Sequence, residues 1–391
     1  MKLAPYPEYK ESGVSWLGKI PAHWDCLPHR AVFSEVKDQG HIDEPLLSVT
    51  IAKGIIPQSK LLANSSKKDS SNLDKSKYKL VCPDDIVYNK MRAWQGAIGV
   101  SRYRGIVSPA YIVVRLRRAG NPNYFHYLLR TPLFAKEAER WSYGITPDMW
   151  SLRPEHFKLI YSCVPRHEEQ TQIARFLDWK TAQINKFIRN KRRLIELLKE
   201  QKQNIINQAV TRGLDPKVKL KPSGVEWIGD IPEHWDARRL RTLAAVRASG
   251  VDKNTNEDEV PVMLCNYVDV YKNDRITAAI DFMKATATPE EIRAFELKAG
   301  DVIITKDSES WDDIAIPTFV PEVIPGVVCA YHLALIRPFS GEIEGEFLFR
   351  AFSSDPVADQ FRIAATGVTR FGLAQGAIKG AFFPLPPLEE Q

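Results

Sequence analysis

Lys10–Asp25 reads KESGVSWLGKIPAHWD, and Lys221–Asp236 reads KPSGVEWIGDIPEHWD. Eleven of the sixteen positions are identical at a separation of 211 residues, far beyond chance. A period above 200 residues is too long for a solenoid and marks a duplicated domain. The echo continues more weakly along both copies. Asp85-Ile86-Val87 with Lys90 answers Asp301-Val302-Ile303 with Lys306, and Tyr143-Gly144-Ile145-Thr146 answers Thr366-Gly367-Val368-Thr369. Finally Val164-Pro165-Arg166-His167-Glu168-Glu169-Gln170 answers Leu385-Pro386-Pro387-Leu388-Glu389-Glu390-Gln391.

Between the copies, residues 168–212 contain no glycine and no proline, and apolar residues recur at helical spacing. Steps of four and three from Ile173 pass through Leu177, Ile184, Phe187, Leu194, Leu198 and Ile205, the seam of a helix that pairs with another. Glu168 and Glu169 suit a helix N-terminus, and Arg212, Gly213 and Pro216 come in the order a helix end prefers. About 45 residues at 1.5 Å each make a helix of roughly 67 Å. A lone helix of that length cannot bury its stripe, so a partner helix is expected.

The flanking copies have another texture. Strand-like runs over Asp85–Asn89, Ile106–Leu116, Asp301–Lys306 and Tyr331–Ile336 alternate with turns rich in Gly, Pro, Asn and Ser. Helical patterns follow near Tyr124–Tyr143 and Glu346–Ala365. The expected fold class is therefore α+β, a mixed α/β chain of two similar globular domains joined by one long coiled-coil-type helix. The boundaries predict a first domain over 1–165, the helix over 166–212, a second domain over 213–385, and a final stretch, 386–391, that repeats the lead into the helix.

The 391 residues carry a net charge of +6, which hides a gradient. Residues 1–150 hold 22 basic and 14 acidic side chains, residues 151–212 hold 13 and 6, and residues 213–391 hold 19 and 28. The basic first part suits a polyanion partner, whereas the acidic last part warns against reading charge alone as nucleic-acid binding. Five scattered cysteines with no C-x-x-C read as free thiols of a reducing, cytoplasmic setting and not as a disulfide framework or zinc site. No apolar run approaches a membrane span, so no membrane partner is expected.

Taken together, G-V-x-W-[LI]-G-x-I-P-x-H-W opening each half, P-x-x-E-E-Q leading into the helix, and AVTRGLD at Ala209–Asp215 resemble the specificity subunits of type I restriction–modification systems. The resemblance covers the whole chain and its order of parts. It implies two target-recognition domains, each reading one half of an asymmetric bipartite site in double-stranded DNA. It also implies docking of two methyltransferase subunits and, through them, restriction subunits. The subunit itself would be non-catalytic and hold no cofactor. S-adenosylmethionine would belong to the methyltransferase subunits, and ATP and magnesium to the restriction subunits. The family's second long helix should follow the second P-x-x-E-E-Q, so residues 386–391 read as its truncated start. Either the chain is cut short there, or two chains supply helices to each other by self-association.

Candidate DNA contacts come from segments that follow strands or form turns. Lys90, Arg92 and Trp94 follow a strand in the first copy; Lys306, Ser308 and Trp311 do so in the second. Cations can meet phosphates or guanine edges, and indoles can pack on sugars or bases; the alternative makes Trp94 a core residue. The Gly-x-Thr turns, with Tyr143, Gly144 and Thr146 in one copy and Gly367, Thr369 and Arg370 in the other, can offer N–H groups and hydroxyls to phosphate. Lys53, Lys67 and Lys68 belong to a lysine-rich stretch, with Lys60, Lys75, Lys77 and Lys79, that suits a loop laid along phosphates or a solvated loop. The repeated Trp16/Trp24 and Trp227/Trp235 read as structural or as a methyltransferase-docking surface, because a feature common to both copies cannot discriminate two half-sites.

Three rival readings stand beside this one. Asn121-Pro122-Asn123-Tyr124 looks like the N-P-P-Y loop of amino-methyltransferases with one residue changed, although a helix cap explains Asn121 more simply. Glu35-Val36-Lys37 supplies a nuclease-like E-x-K without a paired acid, and Val246 and Ala248 occupy the aligned positions of the second copy. A protein-binding oligomerisation scaffold, in which the helix does the work, is the third.

Overall fold

The computed structural model describes residues 4–63, 74–146 and 149–391. The chain forms two compact units, Met1–Arg189 and Asn190–Gln391. In the first unit the central antiparallel sheet runs Phe33–Val36, Tyr111–Leu116, Ile86–Asn89, Ile98–Val100. In the second it runs Ala244–Ala248, Leu333–Pro338, Val302–Thr305, Pro317–Phe319, the same order strand for strand. Each unit also pairs its post-repeat strand with the strand that closes it: Asp25–Pro28 with Tyr161–Val164, and Asp236–Arg239 with Phe382–Leu385.

The central strands are largely apolar on both faces, as expected where both faces of a sheet are covered. Ile86, Tyr88, Ile112 and Val114 point into a core with Phe125, Phe134 and Phe157, while Val87 and Val113 meet Leu47, Val49 and Ile55 on the other side. In the second unit Val302, Ile304 and Ile336 pack with Phe349, Phe352 and Phe361, and Ile303, Leu333 and Leu335 face the opposite cluster.

The repeated sixteen residues form a small hairpin in each unit, Tyr9–Glu11 with Lys19–Pro21 and Leu220–Pro222 with Asp230–Pro232. Its glycines are needed for their backbone: Gly13, Gly18, Gly224 and Gly229 all have φ between 60° and 77°, where a Cβ is strained. The expected strand over Ile106–Leu116 divides into Gly105–Val107 and Tyr111–Leu116, with Pro109 in the turn between them. The expected helix over Tyr124–Tyr143 divides likewise into Pro122–Leu128 and Pro132–Arg140. Proline has no N–H to continue a helix, so Pro132 begins a new one, capped by the Thr131 hydroxyl on the Phe134 N–H.

His167–Arg212 is one helix of 46 residues, in agreement with the sequence reading. The boundary between the two units falls inside it. Near its start Ala174 is buried and Ile173 packs against the first unit's core, so Ile173 serves that core and not helix pairing. Leu177 is half-buried. Near its end Val210 and Ile206 join the second unit's core. Residues 181–202 are all exposed, Ile184, Phe187, Leu194 and Leu198 among them, and beyond these Ile205 is 59% exposed. The final residues turn as a helix begins, with the Glu390 and Gln391 N–H groups both donating to the Pro387 carbonyl. Among the described residues no helix is long and apolar enough to cross a membrane.

Candidate nucleic-acid interface

The repeated E-E-Q that leads out of each unit is a clip. Glu169 accepts hydrogen bonds from the Tyr6 hydroxyl at 2.6 Å and the Trp24 indole at 3.0 Å, and its other oxygen is 2.9 Å from His23 Nε2. Glu390 repeats this with Trp235 at 2.7 Å and His234 at 2.6 Å. Burial pushes the Glu169 carboxyl up, but the three donors outweigh it and hold its pKa below the usual carboxylate range. The following glutamine is duplicated in its bonding too. Gln170 accepts from the Asn121 N–H at 2.9 Å and donates to the Pro165 carbonyl, as Gln391 does with Glu344 at 2.7 Å and Pro386. Trp24 and Trp235 are therefore structural, as their repetition implied.

A second duplicated device sets the central strand. Asp85 is buried, takes two bonds from the Arg115 guanidinium and accepts the Cys82 N–H. Asp301 does the same with Arg337 and Lys298. Each strand thus leaves its pair with a lysine at its far end, Lys90 or Lys306.

Around those lysines the two units build one framework. The Lys90 N–H donates to the Ala110 carbonyl, and the Lys90 carbonyl accepts from the Leu152 N–H. The Lys306 N–H donates to the His332 carbonyl, and its carbonyl accepts from Leu373. The post-strand lysine is thereby placed beside the Gly-x-Thr turn in each unit, joining two segments that the sequence had nominated separately. In the first unit Tyr143 bridges to Ser151 across the turn. In the second, Thr366–Gly367 pairs with Phe371–Gly372, which pairs in turn with Asp307–Ser308. A Cβ on Gly367 would lie 1.9 Å from the Arg370 carbonyl oxygen, and one on Gly144 would lie 2.5 Å from Met149 backbone, so both turns require glycine.

The nominated side chains divide into those that face solvent and those that do not. Arg92, Tyr143 and Thr146 are exposed, and the Tyr143 ring lies 5.0 Å from His156 at a tilt of 57°. Lys90 is half-buried. Trp94 packs against the core, donates its indole N–H to the Met91 carbonyl at 3.1 Å and lies 5.4 Å from the Trp150 ring. The expectation that Trp94 faces DNA does not hold, because the strand end folds back as a short 3-10 turn at Ala93–Gln95. In the second unit Trp311, Thr369 and Arg370 are exposed. Ser308 is buried in the short sheet and accepts the Ser310 N–H, so it too is withdrawn from solvent. Lys306 is held by Asp307 at 3.3 Å.

No family model matches the chain. Over 391 aligned residues it is 21% identical to the StySPI type I restriction enzyme specificity subunit of Salmonella potsdam, covering 96% of this chain and 81% of that protein. Over 167 residues it is 26% identical to a protein described as the MjaX type I restriction enzyme specificity subunit of Methanocaldococcus jannaschii. That match takes in 42% of this chain and 38% of the relative's length. The HsdS subunit from Thermoanaerobacter tengcongensis superposes with a TM-score of 0.56 at 14% identity, over 95% of this chain and 87% of its own. A chain from a structural study of complex assembly in a type I restriction–modification system superposes with a TM-score of 0.63, also at 14% identity, over 95% and 88%. The fold is that of a type I specificity subunit.

Within the specificity-subunit fold, the other sequence candidates fall in varied places. Lys53 sits exposed in the turn after Leu47–Thr50, its N–H donating to the Thr50 hydroxyl. Lys67 and Lys68 lie outside the described residues. Lys79 is buried, with its ammonium 2.7 Å from the Tyr111 carbonyl, and burial lowers its pKa; it is a strand residue and not part of a loop on phosphate. Asn121 caps the helix Pro122–Leu128 through the Asn123 N–H, and its amide nitrogen donates to Thr171, which accounts for the N-P-N-Y. Glu35 is taken up by ion pairs with Lys37 and Lys158. The residues that sequence reasoning missed are His332 and Asp307. His332, in the turn before Leu333–Pro338, had no partner at a recognisable spacing, because Asp307 lies on a short strand 25 positions away.

Proposed function

We propose that this chain is the DNA-recognition subunit of a type I restriction–modification complex. Each unit reads one half of an asymmetric bipartite site, and the helix His167–Arg212 sets the separation. The chain does no chemistry itself. Two methyltransferase subunits supply S-adenosylmethionine and adenine methylation, and restriction subunits supply ATP- and magnesium-dependent cleavage.

One observation carries the reading: two units whose central sheets share one strand order present the same pair of segments, a post-strand lysine and a Gly-x-Thr turn, with different side chains on them. A common scaffold with divergent surface residues is what two unrelated half-sites demand, since shared groups cannot discriminate and divergent ones can. The test is a genome-wide map of methylated adenine with and without the gene. Loss of one asymmetric bipartite motif is expected, and an unchanged map refutes the proposal. A salt-dependent shift of DNA by the assembled complex separates it from a protein-binding scaffold, which would show none at low salt.

A further inference from the structure

In the second unit Asp307, His332 and Arg370 form a chain of contacts that reaches the surface. His332 Nδ1 is 2.5 Å from Asp307 Oδ2, and His332 Nε2 is 3.2 Å from Nη2 of Arg370. A guanidinium has only donors, so His332 Nε2 must accept. The ring proton then sits on Nδ1 and is donated to Asp307. This fixes the tautomer and holds the guanidinium from behind, using one of its five N–H groups. Asp307 is itself positioned by its strand and by Lys306, and Arg370 is exposed at the edge of the Gly-x-Thr turn.

Two further observations mark this cluster as built for a task. His332 adopts φ +67°, a left-handed conformation that a non-glycine residue rarely takes and that tends to occur at functional positions. The first unit also lacks every member of the relay on the same framework. Met91 follows Lys90 where Asp307 follows Lys306, Ala110 takes the backbone place of His332, and Pro147 follows Thr146 where Arg370 follows Thr369. A side-chain set present in one unit and absent from its duplicate is one that can distinguish half-sites.

We infer that Arg370 reads a guanine in the half-site of the second unit, through paired N–H donors to O6 and N7, and that His332 and Asp307 are its positioning residues. This rests on the DNA-recognition reading and names the base class for one of its contacts. It is tested in the whole complex in cells, by mapping methylated adenine with the gene replaced by variants. Arg370→Ala should relax one guanine in one half of the motif, with discrimination there falling on the order of 10- to 100-fold and the other half unchanged. Should that variant abolish methylation altogether, Arg370→Lys decides. Lysine keeps the charge but loses the fork, so restored activity on the original motif means a phosphate contact and overturns the inference, while continued loss with an unchanged fold by circular dichroism upholds it. An unchanged motif, or a partial weakening spread evenly over all sequences with the motif intact, also overturns it. His332→Gly keeps the left-handed backbone and removes the relay. It should relax the same position more weakly and add nothing to Arg370→Ala, whereas relaxation elsewhere in the motif refutes the positioning role. If deleting the gene removes no motif at all, the DNA-recognition reading itself has failed, which is a separate result.

Discussion

Glu169 and Glu390 occupy equivalent places with unequal protection. The Glu169 side chain is 18% exposed and that of Glu390 44%. Glu169→Ala should therefore cost about 1–3 kcal/mol, because it strands the Tyr6 and Trp24 donors. Although Glu390 is the more exposed, Glu390→Ala strands the indole N–H of the buried Trp235 and should cost a similar amount. Urea midpoints measure both losses, and an unchanged midpoint for either variant would count against the clip. The buried histidine gives a pH signature. His29 is fully buried among Phe33, Phe134 and Phe157, and burial lowers its pKa to about 3 from an ordinary value near 6.5. Below pH 6.5 the unfolded chain takes up a proton that the folded chain refuses. Stability is thus full above that pH and falls as pH drops towards 3, by at most about 1.4 kcal/mol per unit from this group. Thermal unfolding between pH 7.5 and 5 should show the fall, and His29→Gln should flatten it.

The long helix is a continuous 46-residue element whose two ends are anchored in different cores. Four residues inserted after Ile195 lengthen it by about 6 Å, close to two base pairs at about 3.4 Å each. The methylation motif of such a variant should show a spacer about two base pairs longer; an unaltered spacer would refute the ruler. Leu194 is 44% and Leu198 53% exposed, an apolar row with charged neighbours that is costly to leave in water. Replacing both with glutamine should leave thermal stability within about 0.5 kcal/mol while reducing concentration-dependent association in sedimentation. Equal association before and after would show that this row is not a contact surface.

For the molecule as a whole, the charge gradient acquires a location. Arg92 in the first unit's framework is exposed and bonded to the neutral Gln95 amide oxygen at 3.1 Å, so its charge can still meet phosphate, whereas Lys306 is already paired with Asp307. Arg92→Gln in the full complex should reduce the slope of log affinity against log salt by about 0.9, and Lys306→Gln should change it less. Equal changes would remove the asymmetry between the two units.

The duplication, the two mixed α/β units and the long helix with both its ends were legible in the chain, since each rests on local information: identical residues at fixed offset, periodicity, and caps. Trp94 and Ser308 were misplaced because burial depends on how a strand end folds back, which no local pattern encodes. Within the lysine-rich stretch Lys79 departs in the same way, for it is a strand residue whose ammonium is consumed by backbone carbonyls. The sequence by itself determined that two similar domains flank one helix. Only the tertiary structure decided which side chains meet: that E-E-Q is a clip, that the post-strand lysine lies beside the Gly-x-Thr turn in both units, and that Asp307, His332 and Arg370 form one line. Those pairings join residues 25 to 163 positions apart, and chain contacts over such distances are set by packing and backbone hydrogen bonding, not by neighbours in sequence.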